Sequence, residues 1–290
     1  MDTTAFPACE IARLPEQVLS AVISLTAPRD ACRAAVVSPA FRAAADSDAV
    51  WACFLPRDLP PLADGELDPA PPSKKALFMR LSASPVLLAD SLTVQCGSTW
   101  LDRKTGAKCY MMSARALHIS WGETPMYWRW IPLAKSDSRC KEAVMLRNVC
   151  WLEIRGKMHS KMLSKNSGYA AYMVFKIDGD SFGLDMDYPA QEASVSIGER
   201  KSRRPVCVEG CRRRSRIRDG RVRLPVDVQL PQERSDGWTE LEMGEFYNEE
   251  GEDGEVSISL MEIEEGHWER GLIVQGIEIR PKKESNAEEV

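Results

Sequence analysis

YAAYMVFKI, residues 169–177, is the stretch that decides the fold. Apolar side chains recur at every second position, and a lysine falls on the alternate set. This period of two is typical of a β-strand that turns one face toward a core. The residues predicted to face the core are Tyr169, Ala171, Met173, Phe175 and Ile177, and those predicted to face away are Tyr172 and Lys176.

Five further stretches on both sides of it have strand character. They are VCWLEIRGKM (149–158), ASVSIG (193–198), WTELEMGEFY (238–247), EVSISLMEI (255–263) and LIVQGIEIRP (272–281). Clusters of Gly, Asn, Asp or Pro separate them without intervening long helices, and a turn at Lys104-Thr105-Gly106 indicates a hairpin further upstream. We therefore predict an antiparallel β-sandwich over residues 113–283.

An aromatic cluster lies near the start of this region, in LHISWGETPMYWRWIPL, residues 117–133. It combines three tryptophans and a tyrosine with the turn formers Gly122 and Pro125. Indole rings seldom bury completely, and exposed aromatic rings mark binding sites. Two interpretations stay open here, namely aromatic packing at the end of a strand and a platform for a ligand.

The first part of the chain is helical instead. LPEQVLSAVISL, residues 14–25, places apolar residues along one broad face at Leu14, Val18, Val22 and Leu25. DACRAAVVSPAFRAAADSDAVWACFLP, residues 30–56, predicts two short helices, with breaks near Ser38-Pro39 and Asp46-Ser47-Asp48. Fewer than about 60 residues make a marginal core. A helical unit that completes itself on a partner and a self-contained three-helix domain are both compatible with this pattern.

The order of the helical stretches resembles the F-box of plant F-box proteins over residues 8–56. The matching residues are Leu14-Pro15, Ile23, Leu25, Pro28, Asp30, Val37-Ser38, Phe41-Arg42, Val50-Trp51 and Phe54-Leu55-Pro56. The resemblance implies docking on the Skp-type adaptor of a cullin ubiquitin ligase. It places Leu14, Pro15, Val18, Ile23 and Leu25 in the adaptor-binding surface, as a large exposed apolar face would suggest.

The strand region resembles the phloem protein 2 family, whose lectin branch is the Nictaba-type jelly roll. The runs that carry the resemblance include LHISWGETPMYWRW, VCWLEIRGKM, YAAYMVFK and GLIVQGIEIRPK, with KCYMMSAR ahead of them. The resemblance implies carbohydrate contact by Trp121 and Trp128, with Tyr127 as a neighbour and with Glu255 and Glu262 at the rim. Trp130, Trp151 and Trp238 are then assigned to core packing.

The remaining segments complete the expected organisation. Residues 57–75 are rich in proline and aspartate and predict a semi-extended linker, and residues 76–112 a bridging segment that packs on the second domain. Residues 284–290 would form a flexible tail. The chain begins without the basic-then-apolar pattern of a signal peptide, which favours a cytoplasmic or nuclear location with reduced, buried cysteines rather than disulfides. No run of 18 apolar residues predicts a membrane span.

Charge is distributed unevenly around a net value of −5. Residues 199–223 hold eleven Arg or Lys against three acids, whereas residues 239–265 hold eleven acids and no base. The basic segment is interpreted as a solvated loop attracted to the acidic one. Nuclear import is the alternative, and nucleic-acid binding is unfavoured because no base-reading motif accompanies the charge.

These patterns together predict a non-catalytic protein. The three histidines accompany no nucleophile motif, no nucleotide-binding fingerprint appears, and Cys207 with Cys211 forms a poor zinc signal, so neither a metal nor a cofactor is expected. The chain is interpreted as the substrate receptor of a cullin ubiquitin ligase, with a sandwich that captures targets through a glycan. The alternatives are a free lectin and a sandwich that recognises protein without sugar.

Overall fold

The computed structural model describes residues 11, 14–89, 97–133, 140–185, 191–210, 228–249, 254–263 and 266–282. It divides into a helical unit, formed by residues up to 59 with 64–85 and 100–107, and a sandwich unit, formed by 60–63, 86–99 and residues from 108 onward. The prediction of helices followed by an antiparallel all-β sandwich is confirmed. Within the described residues, no helix combines the length and hydropathy needed to cross a bilayer.

Among its described residues, the helical unit contains five α-helices: α1 Glu16–Ser24, α2 Pro28–Ala34, α3 Pro39–Asp46, α4 Asp48–Phe54 and α5 Lys74–Ala83. Three helices occupy residues 28–54, where two were predicted from residue 30 onward, because both serines at the breaks act as N-caps. The Ser38 hydroxyl accepts a hydrogen bond from the backbone N–H of Phe41, and the Ser47 hydroxyl accepts one from that of Ala49. Each break therefore starts a new helix.

The centre of the helical unit is Trp51 of α4, which is fully buried. Its indole N–H donates to the carbonyl oxygen of Ala45 at 2.7 Å, and its ring lies 5.1 Å from that of Phe78 in α5. Residues 74–83 thus belong with the other helices, although residues from 76 onward were predicted to pack on the second domain. The predicted linker forms turns rather than an extended chain, and Leu62 pairs with Leu88.

The sandwich unit contains two antiparallel sheets. Its strands are β1 Val86–Leu87, β2 Gly97–Leu101, β3 Lys108–Ser113, β4 His118–Ile119, β5 Trp128–Pro132, β6 Glu142–Leu146, β7 Leu152–His159, β8 Ser167–Phe182, β9 Gln191–Ile197, β10 Arg200–Val206, β11 Gln232–Glu233, β12 Thr239–Asn248, β13 Glu255–Glu262 and β14 Arg270–Pro281. The larger sheet has the order β1-β2-β3-β14-β8-β12-β11, with β6 also paired to β14 and β5 to β6. The smaller sheet has the order β10-β9-β13-β7-β4.

All six stretches predicted as strands are strands, and the hairpin predicted around Gly106 joins β2 to β3. The predicted core positions of β8 from Tyr169 to Phe175 are fully buried, and Val256, Ile258 and Leu260 of β13 are buried with them. Tyr172, predicted to face away from the core, is buried too. The reason is that β8 lies at the centre of the larger sheet, where long side chains from the neighbouring strands cover its outer face.

This cover is an ion-pair ring on the outer face of the larger sheet. Arg280 donates to Glu240 at 2.6 Å and to Glu278 at 2.8 Å, and Arg234 lies 3.2 and 3.0 Å from the same two carboxylates. The Arg280 guanidinium also lies 3.8 Å from the centre of the Tyr172 ring. Two arginines and two glutamates thus alternate at short range, which compensates the partial burial of all four charges.

Candidate functional site

The helical unit exposes aliphatic side chains along one side of α1. Val18, Val22 and Leu25 recur at i, i+4 and i+7 and are 43%, 56% and 87% exposed. This spacing aligns them on one face of a helix. Leu14 and Pro15 precede the helix and are exposed as well. Four of the five residues predicted to bind the adaptor are therefore exposed.

Ile23 is the exception among the predicted adaptor-binding residues. It lies on the opposite face of α1, with Leu19 and Ser20, and is buried inside the helical unit. The Ser20 hydroxyl donates to the carbonyl oxygen of Ala44 in α3, which fixes this face inward. The prediction that Ile23 faces a partner is corrected, since the packing of α1 on α3 decides which apolar stripe turns in.

Two further exposed aliphatic residues follow α2, namely Val36 and Val37. Val37 was identified in the sequence only as part of the F-box motif, and neither residue was predicted to lie on a binding surface. The available signal was the position of two consecutive valines directly before a capping serine and proline, where the chain turns and seldom buries both neighbours. Together with Ile11, Leu14 and the outer stripe of α1, they are the exposed large apolar side chains among the described residues of the helical unit.

The sandwich unit presents its exposed aromatic cluster on the turn between β4 and β5. Trp121 adopts a left-handed backbone conformation with φ of 56°, which is uncommon for a bulky residue. The turn closes through hydrogen bonds from the N–H of Gly122 to the carbonyl of Ile119 at 2.9 Å and from the N–H of Thr124 to that of Trp121 at 2.8 Å. A side chain at Gly122 would press on Ile119. The turn therefore holds the indole of Trp121 outward.

Three rings form this cluster, which we call the aromatic platform: Trp121, Tyr127 and Trp151. The ring centre of Trp121 lies 5.8 Å from that of Tyr127 and 6.5 Å from that of Trp151. Trp121 and Trp151 remain 50% and 42% exposed. The assignment of Trp151 to the core is thus wrong, because Trp151 precedes β7 and packs by its edge against Trp121.

The spacing of the rings decides which ligand geometry the platform can accept. A cation enclosed between aromatic faces approaches each ring centre to within about 6 Å, so opposing faces must stand well apart. The ring of Trp121 instead contacts both of the other rings, with interplanar angles of 54° to Tyr127 and 83° to Trp151. They leave an outer surface for stacking and no gap between them, which suits a flat apolar ligand face better than an enclosed ammonium group.

Glu153 is the polar group beside the platform. Its carboxylate accepts hydrogen bonds from the hydroxyl of Ser120 and from the indole N–H of Trp151, and it pairs with Arg155. The hydrogen bond from Ser120 lowers the pKa of the Glu153 carboxyl, and the charge of Arg155 adds to this effect against partial burial. Glu153 is therefore a charged acceptor close to exposed rings, and it was not predicted from the sequence.

Trp128 is buried beneath the turn, with 2% of its surface exposed. Its indole N–H donates to the carbonyl oxygen of Ser120 at 3.0 Å. The expectation that Trp128 presents a ring face to a sugar is corrected, because it instead supports the turn that displays Trp121. Trp130 is half-buried, with the guanidinium of Arg115 at 3.5 Å from its ring centre, and Trp238 is buried as expected.

Neither of the two predicted rim carboxylates lies on the platform surface. Glu262 pairs in register with Leu152, next to Trp151, but it points to the core side of β13 and is buried. Glu255 is at the other end of β13, seven residues or roughly 23 Å away at about 3.3 Å per residue, where it pairs with Lys157 at 2.8 Å. Of the predicted carbohydrate-binding residues, the structure brings Trp121 and Tyr127 together at the surface.

A second buried carboxyl, Glu269, lies near Glu262. Glu269 exchanges backbone hydrogen bonds with Val149, two residues before Trp151, and its side chain is fully buried. One carboxyl oxygen accepts from the amide of Gln191 at 3.2 Å, and the other has no hydrogen-bond partner. Burial raises the pKa of Glu269 to about 8, and the nearby Glu262 contributes in the same direction. The Glu269 carboxyl is therefore largely protonated at neutral pH.

The described part of the basic segment is strand β10 rather than a loop. Arg200 pairs with Glu249 at 2.6 Å and Arg204 with Glu242 at 3.0 Å, so the predicted attraction to the acidic segment is present in these residues. Residues 211–223, where an import or nucleic-acid role was considered, lie outside the described residues, as do residues 284–290, the predicted tail. Two cysteines, Cys53 and Cys150, are exposed thiols and not buried as predicted. The described ranges contain no group of three or more potential metal ligands.

A helical unit with an exposed aliphatic stripe, followed by a sandwich with an exposed aromatic turn, defines a two-module protein in which each module exposes apolar side chains. The sequence comparisons agree: the F-box-like family model matches residues 11–57 and the Phloem protein 2 model residues 107–281. The chain belongs to the Phloem protein 2 family, in its F-box branch.

Several Arabidopsis thaliana proteins resemble the chain over nearly its full length. Putative F-box protein PP2-B2 is 42% identical, with 93% of this chain and 83% of the relative covered. F-box protein PP2-B10 is 40% identical, with 93% of each covered, and F-box protein SKIP3 is 37% identical, with 93% and 88% covered. A xylan-binding CBM22-1 domain of Paenibacillus barcinonensis Xyn10C aligns at a TM-score of 0.30 and 14% identity, over 59% of this chain and 88% of that domain.

Proposed function

We propose that this protein is the substrate receptor of a cullin-type ubiquitin ligase. The helical unit would bind a Skp-type adaptor, and the sandwich would capture the target. The observation that carries the proposal is the exposed stripe Val18, Val22 and Leu25 in a segment that matches the F-box model. Burying one such side chain fully contributes about 1.5–3 kcal/mol, so the stripe supplies several kcal/mol to an interface.

Such a receptor performs no bond chemistry of its own. It acts by holding the target near the charged ubiquitin donor, which raises the effective concentration of target lysines. The absence of a nucleophile or nucleotide-binding motif in the sequence is in keeping with this role. In this proposal the ligase is the assembly, and the chain supplies its specificity.

Co-purification with a Skp-type adaptor tests the adaptor-binding part. We expect Val22→Glu together with Leu25→Glu to abolish capture, because both substitutions place charge in the apolar stripe without touching the buried face of α1. Met126→Glu is the matched control, since Met126 is an equally exposed apolar residue on the sandwich. Adaptor capture that survives the double substitution, with helicity unchanged, would refute the assignment of the stripe.

We further propose that the aromatic platform contacts a glycan on the target. Trp121 would stack on the apolar face of a sugar ring, Tyr127 and Trp151 would extend that surface, and Glu153 would accept hydrogen bonds from hydroxyls. The exposure of Trp121 and Trp151 beside a charged acceptor supports this over packing alone. Trp128 enters the proposal only as the support of the turn.

A glycan array with the intact protein tests the platform. We expect Trp121→Ala to remove binding and Trp268→Ala to leave it intact, because Trp268 is as exposed as Trp121 but is not one of the three rings of the platform. The protein should be presented in a multivalent format, since a single weak site of about 1 mM corresponds to only about −4 kcal/mol. An array without signal from correctly folded protein would leave protein recognition as the function of the sandwich.

A further inference from the structure

The outer face of the smaller sheet carries an organised group of cations outside the platform. Side chains alternate between core and solvent along each strand, and Val195, Ile258 and Ile154 point to the core. The solvent side therefore receives the residues between them. Glu153, Glu192 and Glu255 are outward residues at the two margins of this face. Between them lie Arg155 and Lys157 of β7, Ser257 and Ser259 of β13, Ser194 and Ser196 of β9, and Lys201 and Arg203 of β10. We call these eight residues the cationic band.

The strand register arranges the cationic band in two rows across the sheet. One row runs from Lys201 through Ser196 and Ser257 to Lys157, and each neighbour in it is a direct partner in the ladder. The second row runs from Arg203 through Ser194 and Ser259 to Arg155 in the same way, and His118 of β4 continues it. Both rows thus have a basic residue at each end, two serines in the middle and no acid.

Each end of the band is a pair of cations on one strand. Arg155 and Lys157 are two residues apart on the same face, as are Lys201 and Arg203, so the members of each pair start about 7 Å apart. Long flexible side chains at this distance converge on one dianion. The two pairs are three strand spacings apart, which is about 14 Å. The serines between the two pairs have short side chains, so the sheet surface between the pairs is flat.

Two of the present ion pairs of these cations are weakly held. Arg155 pairs with Glu153, whose side chain is largely buried, whereas Lys157 lies 2.8 Å from Glu255 and Arg203 lies 3.6 Å from Glu192, both between exposed side chains. Ion pairs of this kind contribute little to stability, because both charges stay hydrated. A ligand with a higher local charge can therefore replace Glu255 and Glu192 without disturbing the fold.

The floor of the band points to a ligand independently of its charges. Ser194 and Ser259 are both buried, and their hydroxyl oxygens are 2.8 Å apart. Only one of the two hydroxyls can donate in that contact, so the other keeps an O–H for which the described residues give no acceptor. A buried hydroxyl without an acceptor is costly, and a bound acceptor would satisfy it.

We propose that the cationic band binds a segment of the target protein that is phosphorylated at two positions about four residues apart. The spacing follows from the separation of the cation pairs, since an extended chain rises about 3.4 Å per residue. A phosphate carries nearly two charges and three acceptor oxygens, which suits a Lys-Arg pair. A peptide backbone matches the serine floor in its donors and acceptors, whereas a sugar ring would find no apolar surface there.

This inference rests on the proposed receptor role but not on glycan binding by the platform. It gives the sandwich a second contact with its target, on a face that binds through charge, whereas the platform binds through ring stacking. Recognition would then depend on prior phosphorylation of the target, a common way of timing an interaction through Arg and Lys clusters.

Fluorescence anisotropy with the full chain and synthetic peptides tests the band. The probe is a serine-alanine peptide with two phosphoserines four residues apart, compared with its singly phosphorylated and unphosphorylated forms. We expect affinity to rise with each phosphate, and Lys157→Gln with Lys201→Gln to weaken binding of the doubly phosphorylated form by on the order of tenfold per cation, the contribution of a hydrogen bond to a charged group. Lys282→Gln is the control, because Lys282 pairs with Glu245 on the other sheet as Lys157 pairs with Glu255.

Equal affinity for the phosphorylated and unphosphorylated peptides would overturn the proposal, and so would a double variant that binds like the wild type. A sulfated glycan or single-stranded DNA that binds as tightly at physiological salt would replace the peptide assignment with general polyanion attraction. The band variants should still capture the Skp-type adaptor. Loss of adaptor capture by the wild type would instead contradict the receptor role, so the two failures are distinguishable.

Discussion

Replacing Glu269 by Gln should prevent a loss of stability that the sandwich otherwise undergoes as the pH rises. The side chain is fully buried, one of its oxygens is without a hydrogen-bond partner, and burial raises its pKa to about 8. The amide of Gln keeps the shape, remains neutral at every pH and still accepts from Gln191. The substitution therefore removes the charge that Glu269 can acquire and leaves the packing of the side chain unchanged.

The size of the expected stability change follows from the difference in the pKa of Glu269 between the folded and unfolded states. The folded protein holds the proton more tightly than the unfolded chain, in which the ordinary value of 4.5 applies. The stabilisation from the bound proton is complete below about pH 4.5 and is lost as the pH rises through about 8, at about 1.4 kcal/mol per pH unit. We expect a total loss on the order of 5 kcal/mol in the wild type and none from this position in Glu269→Gln.

Urea unfolding of both proteins between pH 5 and pH 9 measures this difference. The free energy of unfolding of Glu269→Gln, relative to the wild type, should rise steadily up to about pH 8 and then level off. Glu255→Gln serves as the control, because Glu255 is exposed and its loss should change stability by less than about 1 kcal/mol. Parallel pH profiles for the wild type and Glu269→Gln would refute the assignment of a neutral buried carboxyl.

Three further changes test other parts of the sandwich. Trp128→Phe removes the hydrogen bond to Ser120 and part of a buried ring, so thermal denaturation should show a loss of about 1–3 kcal/mol, and intrinsic fluorescence should report a looser turn. Arg280→Met leaves the two partly buried carboxylates Glu240 and Glu278 with Arg234 alone and should cost up to about 3–5 kcal/mol in urea unfolding, whereas also replacing Glu278 by Gln should recover part of this. Gly276→Ala should prevent soluble expression or destabilise strongly, because the added carbon would lie 2.1 Å from a backbone oxygen of β3.

The sequence predicted the strands well, because a strand that buries one face in a sandwich has apolar residues at every second position. Tyr169 to Phe175 and Val256 to Leu260 alternate in the sequence and lie in the core of the structure. The period could not show that β8 would be covered on both faces. That cover comes from Arg280 and its partners on strands distant in sequence, and only the sheet order brings them together.

The site was less predictable, because the direction of a side chain in a turn depends on backbone geometry. Trp121 and Trp128 are both large rings beside a turn, yet the left-handed conformation at Trp121 turns one outward while the ladder buries the other. Trp151 and Glu153 join the platform through the pairing of β7 with β4, which composition does not encode. Ile23 was misplaced for a similar reason, since only the packing of α1 on α3 separates its two apolar stripes.

The central position of β14 has a consequence for how the protein is made. β14 pairs with β3, β6 and β8, yet it emerges from the ribosome after all of them and after the whole helical unit. A nascent chain therefore carries a complete helical unit while its larger sheet still has open edges, and such edges recruit other strands. If the helical unit binds the adaptor as proposed, a truncated product would occupy the adaptor without a finished sandwich, so early termination should be more harmful than absence of the protein.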